Sequence, residues 1–263
     1  MAGFIGALTG LGGGIIIAPI LVVLFDVEIH QAMGASLISV TAISSSTTMR
    51  YMREGFTNIR IGMLLEVGAV VGGVFGAMLV SIVPVGIISI MIGVTLFLSL
   101  FDCLRNLQEQ NIVPIPGSWA QRLKLDGEYQ TDSGNIKPYA MQRIPLGFGI
   151  VTLSGLFSGL LGIRSGPLKV LALNLVMDLP YKVATSTSNF MVGITATASA
   201  GVYLSSGYFN AEISFPVLLG VLCGALSGVR VFTRAKVKLL KIIFAMVILG
   251  LSVEMIYNGI RGI

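Results

Sequence analysis

The sequence predicts an all-α polytopic membrane protein. It would consist of two inverted-topology repeats, each with a glycine-broken re-entrant hairpin and about three transmembrane helices. Composition, an internal duplication and the placement of basic residues predict this. The chain has 263 residues, 54% of them hydrophobic and 11% charged, and its mean hydropathy is +0.90. A soluble chain carries about a quarter charged residues. Val83–Phe101 has no charge over 19 residues, Ile144–Ile163 none over 20, and Ile61–Ile82 a single one, Glu66. A helix crosses hydrocarbon with about 20 apolar residues. The runs lack the alternation of a transmembrane barrel.

The duplication appears when the chain is shifted by 152 residues. Gly10 then falls on Gly162, Gly14 on Gly166, Asp26 on Asp178, Ser36 on Ser188, Tyr51 on Tyr203, Gly55 on Gly207 and Asn58 on Asn210. The glycine ladder Gly68, Gly72 and Gly76 falls on Gly220, Gly224 and Gly228. Two unrelated apolar sequences rarely share Asp, Tyr, Asn and a whole ladder in one frame. The chain therefore divides into a first transmembrane repeat (1–101), a polar, cytoplasmic linker (102–143) and a second transmembrane repeat (144–263).

Each repeat reads as four segments. The first is interrupted by glycine, at 2–25 and 144–177. The second is rich in Ser and Thr, at 31–51 and 183–204. The third carries a glycine every four residues, at 61–82 and 213–229. The fourth is a plain apolar span, at 83–101 and 242–260. The linker holds Pro114, Pro116, Gly127 and Gly134, in keeping with an extramembrane connection.

Basic residues set the orientation. Arg50, Arg53 and Arg60 lie between the second and third segments of the first repeat. The cluster Arg230, Arg234, Lys236, Lys238 and Lys241 lies between the third and fourth segments of the second. Positive loops stay cytoplasmic. Both clusters can do so only if the repeats are inverted, as in many secondary transporters. Inversion needs an odd number of crossings per repeat. Three spans supply it if the glycine segment enters and leaves by one face, giving six full spans and two re-entrant hairpins. Ile144–Ile163 is nevertheless long enough to cross alone.

The broken segment carries the candidate site. Backbone at membrane depth must be hydrogen-bonded, so a break is tolerated only where it is buried or lines a cavity. Gly12, Gly13 and Gly14 can take the dihedrals of such a break. The helix that follows offers free N–H groups and a positive dipole end, which attract anions. The second repeat places Arg164, Ser165 and Gly166 there, with Pro167 suited to a first helical turn. Arg164 could hold an oxyanion through its planar fork of donors; Arg164 and Lys169 either face a cavity or a partner or snorkel to a near surface. Ser36, Ser188 and Asn189 would add hydrogen bonds along the path. Ser44–Thr48 reads as packing, because such hydroxyls bond back to their own helix. Glu66 could carry a proton for coupling or pair with a cation. Asp26 and Asp178 read as helix N-caps, and the glycine ladder as close helix packing.

Other chemistries find little support. His30 is the only histidine, so neither a histidine metal cluster nor a catalytic triad is available. The glycines lack the Lys-Ser/Thr of a nucleotide-binding loop. The net charge of +5 is explained by topology, so no nucleic-acid partner is implied. Cys103 and Cys223 do not suggest a disulfide, and Cys223 reads as a small packing residue. The expected partners are a small anionic substrate and the lipid bilayer, with no cofactor, no metal and no enzyme activity. The oligomeric state stays open, a homodimer being one arrangement.

The stretches "GALTGLGGGIIIAPILVVLF-DVEIHQAMGASLISV" and "SGLLGIRSGPLKVLALNLVMDLPYKVATSTSNFMV" resemble the two signatures of the sulfite exporter TauE/SafE family. This family is also called the toluene sulfonate uptake permease family. The resemblance spans essentially the whole chain. It implies a multi-pass transporter of the prokaryotic inner membrane, in many members an exporter, for small anions that often contain sulfur. Sulfite, sulfoacetate and thiosulfate are examples, with proton coupling in some members. It carries over to Gly10, Gly12, Gly13, Gly14, Pro19 and Ser36, and to Gly162, Gly166, Pro167 and Ser188. Arg164 and Ser165 depart from a triple glycine in the second half, so substrate preference can depart too. An anion channel on the same scaffold, or a carrier of a non-sulfur organic anion, remains the alternative.

Overall fold

A computed structural model describes residues 14–53, 55–104, 125, 127–130, 136–139, 141–163, 165–232 and 237–261. The described chain is mostly helical. Helices α1 (Gly14–Phe25), α2 (Ile29–Arg53), α3 (Ile59–Leu79) and α4 (Val85–Leu104) come first. A two-stranded ribbon follows, β1 (Gly127–Gln130) and β2 (Ile136–Tyr139). After it come α5 (Ile144–Leu161), α6 (Gly166–Leu171) running into a π turn (Ala172–Val176), α7 (Tyr181–Ser205), α8 (Ala211–Phe232) and α9 (Val237–Arg261).

The duplicated sequence forms duplicated elements. Ile29 and Tyr181 each begin a helix, as do Ile59 and Ala211, both pairs 152 residues apart. The ends match too. Asp26 (φ 50°) and Asp178 (φ 61°) are both left-handed, as are Gly55 (φ 74°) and Gly207 (φ 77°). Their positions correct the reading of Asp26 and Asp178 as N-caps, because each follows the end of a helix. Asp tolerates the left-handed conformation that closes a helix C-terminus better than most residues. The Val27 N–H donates to the Leu21 carbonyl (3.1 Å) and the Leu179 N–H to the Leu173 carbonyl (2.9 Å), the same bond in each half. Asn58 is a genuine N-cap of α3, its side chain accepting from the Ile61 N–H.

Equivalent helices pack against each other in opposite directions. Along α2 and α7, Gly34 lies near Tyr203, Thr41 meets Thr197, and the Ser44 hydroxyl donates to the Asn189 carbonyl. Rising numbers on one helix meet falling numbers on the other. Helices α4 and α9 do the same. Gly93 accepts from the Ser252 hydroxyl (2.8 Å), and Gly259 lies on Gly86 and Ile90.

Helices α3 and α5 run in parallel, and the glycine ladder holds their seam. Gly68, Gly72 and Gly76 lie in turn on Phe148 and Thr152, on Thr152 and Leu156, and on Leu156 and Leu160. Gly155 and Gly159 reciprocate against Ala69 and Gly73. Small residues let the backbones touch, so packing accounts for the ladder of the first repeat, whereas a Cβ on Gly220 of the second would meet nothing within 4 Å. Both helices are long and apolar enough to cross a membrane. Their outer faces are apolar and exposed, with Val67, Phe75 and Met78 on one and Leu153 and Phe157 on the other. Helices α2 and α7 have 25 residues each, but hydroxyl-rich sequence lowers their hydropathy.

The linker is not wholly irregular. Its antiparallel ribbon pairs Gly127 with Tyr139 and Gln130 with Ile136. Tyr129 and Tyr139 are buried in a cluster with Ile61, Met141 and Val183. The Asn58 amide donates to the Leu125 carbonyl (2.8 Å) and the Tyr139 hydroxyl (2.9 Å). The ribbon is thereby docked where α3 and α7 begin. Cys223, read as a packing residue, is exposed on α8.

Candidate functional site

The helix break of the second half is formed. Helix α5 ends at Leu161, and Gly162 caps it in the left-handed region at φ 59°. A Cβ on Gly162 would lie 2.2 Å from the Met33 Cβ, so both conformation and space require glycine. The chain resumes as helix at Gly166. The arms are unequal: α5 has 18 residues, while α6 has six and its π continuation five. The first arm is of spanning length, as its unbroken apolar run allowed.

Serines satisfy the backbone of the break. Ser158 donates to the Ile163 carbonyl (3.0 Å), Ser154 to the Ser165 carbonyl (3.3 Å) and Ser188 to the Gly166 carbonyl (3.2 Å). That is how irregular backbone survives inside a membrane bundle. Ser165, Gly166, Ser188 and Asn189 are thus gathered, and all are buried. Among the described residues, the Ser165 hydroxyl and the Asn189 side-chain oxygen have no hydrogen-bond partner. A buried polar atom left unpaired is uncommon, which suits groups that await a ligand. Ser36 is buried on α2 at the position equivalent to Ser188. Gly14 starts α1. Gly12, Gly13 and Arg164 lie outside the described residues.

One turn past Ser165, Lys169 has a partner and does not reach a surface. The Lys169 side chain has 0% exposure and that of Glu66 4%. The ammonium lies 3.4 Å from Glu66 Oε2 and donates to Thr195 Oγ1 at 2.6 Å. Thr195 in turn donates to Glu66 Oε1. Glu66 therefore pairs with a cation from the other repeat. Helices α3, α6 and α7 each bring one member, and Gly73 leaves room for Thr195 and Ser199 against α3. Losing one partner of a buried pair costs about 3–5 kcal/mol, because the survivor is left uncompensated.

Sequence reasoning missed the Lys169–Glu66 contact and the part of Thr195, although a signal existed. In the 152-residue frame, Lys169, Thr195 and Glu66 correspond to Ile17, Ile43 and Leu218. Ile17 and Ile43 sit together in an apolar cluster. One half places three polar groups where the other places three apolar ones.

Between α2 and α7 lies a cavity of about 370 Å³, lined by Ser44, Ser45, Thr48, Phe190, Gly193 and Thr197 among others. Ser45 and Thr47 bond back to their own helix (2.8 and 3.0 Å), as the packing reading expected. Ser44 instead reaches across to α7, and with Ser45 and Thr48 it faces the cavity. Among the described residues, no group of three or more His, Cys, Asp or Glu could hold a metal ion.

An apolar exterior around a buried ion pair, buried hydroxyls and a serine-tied helix break defines a helical membrane protein with a polar interior, the organisation of a transporter. The sulfite exporter TauE/SafE family model matches residues 1–255, and the chain belongs to that family. It is similar to the probable membrane transporter protein YunE of Bacillus subtilis (strain 168). The two are 26% identical over 99% of this chain and 95% of that one. It is 29% identical to the probable membrane transporter protein YdhB of the same organism, over 87% of this chain and 83% of the other. The probable membrane transporter protein ORF9 of Sinorhizobium sp is 21% identical over 97% and 88%. No solved structure matches the chain.

Proposed function

We propose that the chain is a secondary transporter of small anions, sulfur oxyanions or organosulfonates, and works by alternating access between two inverted repeats. The observation that carries this reading is the fully buried cation, Lys169, one turn from a helix break where the Ser165 and Asn189 oxygens have no partner among the described residues. A cation inside a membrane bundle faces a partner or a path. The family description supports sulfur oxyanions as the substrate class.

The antiparallel packing of α2 on α7 and of α4 on α9 supports inversion. A two-fold axis in the membrane plane reverses equivalent helices, whereas one along the normal leaves them parallel. Alternating access would rock one repeat against the other, with the anion between α2, α6 and α7. Ser188, Asn189 and Ser165 would contact it there, with Ser36 answering from the first repeat. Gly12–Gly14 and Arg164 would complete the site. The linker 102–143 would join the repeats on the cytoplasmic side of a multi-pass protein of the cell membrane.

Flux in proteoliposomes tests the proposal. Sulfite or sulfoacetate should exchange across the bilayer with saturable kinetics. Absence of exchange for sulfite, sulfoacetate and taurine alike would refute it, and high unitary conductance would favour a channel.

A further inference from the structure

The ion pair breaks the symmetry of the fold. Glu66 comes from the first repeat, Lys169 and Thr195 from the second. Their counterparts Leu218, Ile17 and Ile43 are apolar, with Ile17 and Ile43 buried. Ile17 and Ile43 pack in one apolar cluster with Val217 and Val221 of α8, so the first half places no charge there. Replacing a buried ion pair by apolar residues is often neutral or stabilising, so stability alone does not account for the polar set.

From this geometry we infer that Glu66 and Lys169 form a proton-operated counter-ion for the transported anion. Without anion, the Glu66 carboxylate neutralises the Lys169 ammonium. A proton taken up by Glu66 converts the carboxylate to a carboxylic acid and releases the ammonium from the ion pair. Lys169 keeps its own protons throughout and pairs with the incoming anion. When the anion leaves on the other face, Glu66 gives up its proton and the pair re-forms. Thr195, bonded to both, holds the carboxyl group within reach in either state. The inference rests on the reading of the chain as an anion carrier.

Charge bookkeeping names the substrate class. The empty pair holds one carboxylate and one ammonium, and the loaded set one protonated carboxyl, one ammonium and a monovalent anion. One proton per monovalent anion therefore leaves the charge of the site the same empty and loaded, whatever Arg164 adds to both states. A divalent anion with one proton would change it by one unit. The substrate class is therefore a monovalent oxyanion, such as hydrogensulfite or a monosulfonate, moved electroneutrally with one proton in the same direction. Coupled this way, the carrier runs outward only while the anion gradient exceeds an inward proton gradient.

The neighbouring elements leave Glu66 to this role. Helix α5 has no ionisable side chain. On α7, Lys182 lies near the start over the Phe56 ring, and Tyr203 lies near the end, donating to the Gly159 carbonyl. On α3, Arg60 is exposed in the first turn. Helix α6 contributes Lys169. Arg164 lies outside the described residues.

The test uses the purified full chain in proteoliposomes, with the membrane potential clamped and sulfite and methanesulfonate as probes. Methanesulfonate is monovalent at every working pH. The wild type should exchange at least one of them. An imposed outside-acid gradient should drive about tenfold accumulation per pH unit, as one proton per anion requires. Glu66→Gln should lose the pH-driven accumulation at whatever exchange rate it retains. The triple variant Glu66→Leu, Lys169→Ile, Thr195→Ile copies the apolar counterparts and should melt near the wild type while exchange is lost. If neither probe is exchanged by the wild type, the carrier reading itself fails. Exchange without pH-driven accumulation in the wild type overturns only the coupling. So does accumulation that persists in Glu66→Gln, or wild-type exchange by a folded triple variant.

Discussion

Replacing Gly159 by alanine should separate the two helices that carry Glu66 and the helix break. Gly159 and Gly149 lie on the same helix, α5. A Cβ on Gly159 would sit 1.9 Å from the Gly73 carbonyl oxygen and 2.9 Å from the Ala77 nitrogen. Ordinary van der Waals contact begins at 3.4 Å, so the seam must open by roughly 1.5 Å at that point. The obstructing atoms are backbone, and no rotamer change relieves them. Overpacking of this kind costs about 1–3 kcal/mol, occasionally more, and a backbone clash belongs at the upper end. Alanine returns about 1 kcal/mol of helix propensity, for a net loss of about 2 kcal/mol. At Gly149 a Cβ meets nothing within 4 Å, so only the propensity gain of about 1 kcal/mol remains. Thermal melting of the purified protein in detergent compares the two. Gly159→Ala should melt below the wild type and Gly149→Ala at or above it. Equal shifts, or a rise for Gly159→Ala, would refute the close approach of α3 and α5.

The ion pair and the topology give two further expectations. Lys169→Met alone should destabilise the protein by about 3–5 kcal/mol, because it strands the Glu66 carboxylate, and adding Glu66→Leu should recover most of that in the same melting assay. Single cysteines at Arg53 and Ser205, exposed at equivalent helix ends, should be labelled by an impermeant maleimide from opposite faces of the membrane. Labelling of both from one face would rule out inversion.

Much of the framework was legible because membrane helices follow local rules. Element starts repeat at the 152-residue spacing because each repeat carries its own stop signals. Asp26 and Asp178, Gly55 and Gly207, and Asn58 and Asn210 occupy the same turns in both halves. The role of the aspartates was misread because Asp serves both helix ends. It caps N-termini through its carboxylate and closes C-termini through a left-handed backbone, and only φ distinguishes the two. The ribbon was hidden for a different reason. Its strands are four residues each, too short to show alternation, and their burial comes from docking on α3 and α7.

The sequence by itself determined that the chain is an apolar helical bundle built on a repeat, that the second half breaks between Gly162 and Gly166, and which family it resembles. These follow from composition, periodicity and a repeat, all of which act along the chain. Only the tertiary structure decided what the charged residues do. Lys169 has a stem long enough to reach either a surface or a partner, and the sequence is compatible with both. Parallel packing of α3 and α5 brings Glu66 within 3.4 Å of it across 103 positions of chain. Thr195 closes the contact from a third helix. Which polar groups meet inside a membrane bundle depends on helix direction and rotation, and those are set by contacts between segments far apart in sequence.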